Sequence, residues 1–71
     1  MIMNVKSIAD HREKRGMSQM QLAAKAGIAQ AQLSRYETRT ITPGLKCASR
    51  IARALGVGID DIAFLSEQTQ P

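Results

Sequence analysis

Aromatic side chains are almost missing from this chain: Tyr36 and Phe64 are its only two, and there is no tryptophan. A stacking pocket for a nucleotide or cofactor, or a platform for single-stranded bases, is therefore poorly supplied. Cysteine occurs once, at Cys47, so no disulfide can close within the chain and a reducing, cytoplasmic setting is expected. Cys47 has no histidine or acid close in sequence, which favours packing over nucleophilic chemistry. His11 stands alone as well, without the cysteines or carboxylates that a zinc site needs. Gly56-Val57-Gly58 lacks the preceding strand and later glycine of a phosphate-binding fingerprint. No enzyme, cofactor, metal or small-molecule ligand is expected. Nor does any stretch approach the roughly 20 apolar residues of a membrane span. Met1 to Val5 lacks the basic start and long apolar run of an export signal.

What remains is a chain of 71 residues, 44% hydrophobic and 23% charged, the composition of one small globular domain. Its charge is uneven. Ten Lys/Arg against six Asp/Glu give +4, a balance that favours a polyanionic partner. Residues 41–57 carry Lys46, Arg50 and Arg53 and no acid, whereas residues 58–71 carry Asp60, Asp61 and Glu67 and no base. The acidic end is expected to face away from any anion. At the spacing of Lys46, Arg50 and Arg53 an ordinary solvated helix face is the favoured reading.

Alternation of polar and apolar residues never persists, so helices are expected throughout. The first runs from about Val5 to Lys14, burying Val5, Ile8 and Ala9 and stopping before Gly16. Ser18 and Gln21 fit a capping box at the start of the second, in which each side chain satisfies a backbone N–H of the first turn. Leu22, Ala23 and Ala26 form its apolar stripe, and Gly27 ends it. A third helix, about Ala29 to Thr38, has only Leu33 and Tyr36 to bury. After a loop containing Pro43, a fourth carries Leu45, Ala48, Ile51, Ala52 and Leu55 at three- and four-residue spacing up to Gly56. A fifth, from about Ile59 to Leu65, has Asp60 and Asp61 in its first turn. The core is expected to span about residues 5–65, with residues 66–71 frayed.

Gln19 to Tyr36 reads QMQLAAKAGIAQAQLSRY. A helix, a tight turn and a second helix crossing at roughly 90 to 120° need apolar anchors, a small residue at the contact and a glycine at the turn. Leu22, Ala26, Ile28, Leu33 and Tyr36 supply the anchors, Ala23 the contact and Gly27 the turn. Here the sequence resembles the lambda-repressor-like helix-turn-helix family of Cro and phage-repressor type. Arg12, GMSQMQLA (Gly16 to Ala23), Tyr36-Glu37, Pro43, and IARALGV (Ile51 to Val57) with Ile59, Asp60 and Ile62 extend the match.

The resemblance implies an all-α fold of five helices, with the third lying in the major groove of duplex DNA. Gln30, Ala31, Ser34 and Arg35 match the family's base-facing positions, with Gln32 added at the flank, pointing either along the groove or aside. The residue chemistry agrees independently: amides pair with adenine N6/N7 and a guanidinium with guanine O6/N7. Gln19 matches a position that bonds a phosphate or supports the first reading residue, and Arg39, Lys6 and Lys25 are candidates for further phosphate contacts. The resemblance also pairs Arg12 with Glu37 as a structural clamp. Ile59, Ile62, Ala63, Phe64 and Leu65 are the expected homodimer interface, unless Ile62 and Leu65 merely close the monomer core.

The pattern is broken at four residues. Ala29 stands where a hydroxyl residue caps the recognition helix, Arg39 near the usual terminal glycine, and Gly44 and Gly58 where small hydroxyl caps are usual. The function expected is a sequence-specific DNA-binding regulator that represses transcription from an inverted repeat. The alternative is a protein-interaction module or antitoxin-type subunit, partnered by a toxin or another regulator, that reads little or no DNA itself.

Overall fold

The computed structural model describes residues 6–62. Four α-helices follow one another as α1 (Ile8–Lys14), α2 (Gln19–Ala26), α3 (Gln30–Glu37) and α4 (Leu45–Leu55), and a single 3-10 turn, Ile59–Asp61, closes the series. Among the described residues there is no strand; an isolated parallel bridge joins Lys6 to Ile62. None of these helices is long and apolar enough to cross a membrane.

Helix starts follow local hydrogen-bond chemistry. The Ser7 hydroxyl accepts the Asp10 N–H at 3.0 Å and the Asp10 carboxylate accepts the Ser7 N–H, so α1 begins at Ile8 rather than at Val5. Ser18 and Gln21 make the same reciprocal pair at α2, at 3.0 and 2.9 Å. No side chain caps α3 at Ala29 or α4 at Gly44.

All four helices end alike. Just past each helix an N–H returns to the carbonyl five residues back, in Met17 to Arg12, Ile28 to Ala23, Thr40 to Arg35 and Val57 to Ala52. That closure needs one residue at positive φ. Gly16, Gly27 and Gly56 supply it for three helices, and Arg39, at φ 62°, supplies it for α3. The departure seen in the sequence is thus the same turn built with a side chain in the left-handed region.

The core gathers Ile8, Leu22, Leu33, Ile51 and Ile62 with Tyr36, Leu55 and a set of alanines. Ala23 and Ala26 on α2 and Ala48 and Ala52 on α4 keep the helix surfaces shallow, which suits the close approach of α2 to α4. Pro43 is fully buried where the α3–α4 loop turns back to the core.

Two expectations need correction, and one buried residue was not foreseen in the sequence. Leu45 is 73% exposed, because the first turn of α4 overhangs the core, and Ala54 takes a buried place on that helix. Among the described residues the expected fifth helix is a single 3-10 turn: Ile62 is extended, at φ −108° and ψ 119°, and pairs with Lys6. Its expected continuation through Ala63, Phe64 and Leu65 lies outside the described residues. Finally, the charged string of α1 hides a core residue. His11 is only 6% exposed, and its Nε2–H donates to the Asp61 carbonyl at 2.8 Å.

Candidate nucleic-acid interface

The face of α3 turned from the core carries Gln30, Ala31 and Arg35, all exposed, flanked by half-buried Ser34 and Gln32. Leu33 and Tyr36 anchor the opposite face, at 0% and 3% exposure. This division follows helical periodicity: residues 33 and 36 point inward, so 31 and 35 point out. Outward amides and a guanidinium on a helix held rigidly by its other side can enter a groove and pair with base edges.

What holds α3 is a cluster at its C-terminal end. Arg12 Nε donates to Glu37 Oε2 at 2.8 Å and Nη2 to Oε1 at 3.2 Å, a two-pronged pair joining α1 to α3. Gln19 Nε2 donates to the same Oε1 at 2.9 Å, adding α2. Arg12 Nη1 reaches the Met17 carbonyl at 2.9 Å. The two charged side chains are 13% and 6% exposed, and Glu37, more than burial opposes it, holds the Arg12 pKa above its usual value. Gln19 is thus directed at Glu37 and braces α3 from the N-terminus of α2. Sequence reading paired Arg12 with Glu37 but had no signal for Gln19 as the third member.

Gln32 lies along the helix: its Nε2 donates to the Tyr36 hydroxyl at 2.7 Å. Burial is the leading reason why the pKa of that hydroxyl is raised, and the neighbouring Cys47 on α4 adds to it. Cys47 is half-buried beside the core.

The proposed phosphate contacts are not all brought together. Arg39 is exposed just past α3, its backbone N–H bonded to the Tyr36 carbonyl at 3.2 Å. Lys6 instead sits against the 3-10 turn, its N–H on the Asp61 carbonyl at 3.1 Å. Lys25 shares an open groove of about 560 Å³ with Arg50 and Arg53, between α2 and α4, and no α3 residue lines it. Among the described residues no group of three or more potential metal ligands assembles.

Comparison with known proteins agrees with this geometry. Residues 8–62 match the helix-turn-helix family, and the chain belongs to that family in its lambda-repressor-like branch. The chain is also similar to an uncharacterized HTH-type transcriptional regulator of Methanothermobacter thermautotrophicus, 39% identical over 61 residues that cover 84% of this chain and 88% of the relative. The family and the exposed face of α3 together define a DNA-binding protein.

Proposed function

We propose that the protein is a sequence-specific regulator of transcription which binds duplex DNA through α3 and represses by occupying an inverted-repeat operator as a homodimer. The observation that carries this reading is the split character of α3. One face is fixed to α1 and α2 through Glu37, and the other offers Gln30, Ala31 and Arg35 to the outside. Arg35 is assigned to a guanine, through O6 and N7; Gln30 reads at the N-terminal end of the helix, Ala31 offers its methyl to a thymine, and Ser34 contributes at the flank. Arg39 contacts a phosphate. Similarity to an HTH-type transcriptional regulator of Methanothermobacter thermautotrophicus supports the same class of activity.

The homodimer is assigned to the C-terminal end. Ile62 is at 0% exposure and Ile59 packs against the core, so these two side chains serve the monomer. The contact then rests on Ala63, Phe64 and Leu65, which lie outside the described residues. A two-fold dimer would set its recognition helices about 34 Å apart, one helical turn of DNA.

Selection of tight binders from random duplex DNA at roughly physiological salt tests the proposal, because nonspecific attraction is weak there. An enriched inverted repeat is expected. A folded protein that enriches nothing would overturn DNA reading and favour a protein-binding role. For the dimer, Phe64→Asp should yield a monomer in sedimentation at micromolar concentration, and a variant still dimeric would remove the interface assigned here.

A further inference from the structure

We propose that the groove between α2 and α4 is a docking surface for an acidic segment of another protein, with Arg53 as its central contact. Three adjoining depressions, of about 560, 520 and 310 Å³, meet at Arg53, which lines all of them. Lys25 and Arg50 each line two, Lys46 lies at one end and Arg15 at the other. All five side chains are exposed, and no carboxylate lines any of the three depressions. Among the described residues the ion pairs are those of Arg12, so none of these five cations is neutralised there. On α4 alone, Lys46, Arg50 and Arg53 suit a solvated face. Folding adds Lys25 from α2 and Arg15 from the end of α1, whose Nη1 donates to the His11 carbonyl at 2.8 Å. Like charges three and four residues apart on a helix repel. Gathering two more beside them raises that cost, which an anionic partner offsets.

The rest of the lining selects among anions. Between the cations lie Ala24, Ala26, Gly27 and Ala54, small residues that leave a shallow apolar floor, and Leu45, 73% exposed, borders the depression at the Lys46 end. A phosphate backbone would meet the charges and leave the apolar surface unused. A protein segment that mixes carboxylates with apolar side chains uses both. Its carboxylates can pair two-pronged with the Arg50 and Arg53 guanidinium groups, while its apolar side chains cover the alanines and Leu45. An arginine surrounded by contacts that exclude water is a common dominant residue of such an interface. The groove is open rather than enclosed, which fits a length of chain better than a small molecule. No residue of α3 lines any of the three depressions, so this surface is separate from the face assigned to DNA.

The test is an NMR titration of the isotope-labelled full chain, at roughly physiological salt, with two probes: a soluble peptide of repeated glutamate-glutamate-leucine units, and a random-sequence DNA duplex. The peptide should shift the backbone amides of Lys25, Gly27, Arg50, Arg53 and Ala54 and leave those of Gln30 to Arg35 in place. Serine in place of its leucines should weaken it. Arg53→Glu should weaken peptide binding by roughly tenfold, and Lys25→Glu in the same direction, each variant first shown to be folded by circular dichroism. Lys14→Glu makes the same change of charge at an exposed residue that lines none of the depressions, and should leave binding nearly unchanged. Equal losses in Lys14→Glu and in the groove variants would reduce the effect to net charge and overturn the proposal. So would groove amides that answer to the duplex, which would assign the surface to nucleic acid, or to rising concentration of the chain alone, which would assign it to a second copy. No response to millimolar peptide would also overturn it. The DNA-binding reading of α3 is decided separately, by the selection from random duplex.

Discussion

Glu37 accepts three side-chain hydrogen bonds, two from Arg12 and one from Gln19, with 6% of its side chain exposed. Removing Arg12 would leave this carboxylate buried with one neutral donor. Arg12→Ala is accordingly expected to cost about 3–5 kcal/mol, a large share of the stability of so small a domain, and urea denaturation would read it as a lower midpoint. Because the Arg12 pKa is raised from an already high value, the guanidinium stays charged wherever the protein is folded and its contribution does not vary with pH. Tyr36 behaves differently. Its folded pKa lies above the ordinary value of 10.0, so the folded chain holds the proton more tightly than the unfolded one. Stability is then full below pH 10 and falls as pH rises from there through the folded value. Tyr36→Phe should remove that part of the alkaline slope in denaturation measured from pH 9 upward. An identical slope in both proteins would contradict the assignment. The Arg12–Glu37 pair could be read from the sequence because resemblance supplied the partner. His11 could not: amid Asp10, Arg12 and Glu13 it looks like surface, and the Asp61 carbonyl that its Nε2 meets is fifty residues away in sequence.

Helix ends divide into those the chain writes locally and those it does not. Ser18 with Gln21 was legible because both partners lie within four residues, and so was Gly27 as a terminator. The end of α3 was legible only as a departure, since the hydrogen bonds that hold Arg39 at φ 62° come from the whole turn. The fifth helix was overread: Asp60 and Asp61 suit a helical first turn, but the Lys6–Ile62 bridge, a contact between distant parts of the chain, draws Ile62 into extended form. Two substitutions test the local account. Ala29→Ser gives α3 the cap it lacks and should stabilise the fold by about 1 kcal/mol. Gly27→Ala meets nothing within 4 Å of the added Cβ, so its cost should be conformational alone, about 1 kcal/mol for a side chain at φ 74°. A much larger loss would show that the α2–α3 turn is constrained by packing instead.

Charge acts on the scale of the whole molecule. Between Lys14 and Ile59 the sequence has one acidic residue, Glu37, and Arg12 and Gln19 occupy it, so the outward surfaces of α2, α3 and α4 are cationic on more than one side. Net charge alone would let DNA approach several of them. The geometry separates two: Arg35 and Arg39 on α3 and just beyond it, and Lys25, Arg50 and Arg53 around the groove between α2 and α4. These can be told apart by ion release, because each phosphate neutralised contributes about −0.9 to the slope of log affinity against log salt concentration. On a fixed operator duplex, Arg39→Ala should make that slope shallower by about 0.9 per protomer, weakening all sequences alike. Arg53→Ala should leave it unchanged, as should Lys25→Ala, since both side chains line a groove to which α3 contributes nothing. Fluorescence anisotropy over a salt series would measure all three. If Lys25→Ala and Arg53→Ala flattened the slope while Arg39→Ala did not, the duplex would lie across α2 and α4, and the orientation of the protein on DNA would have to be turned accordingly.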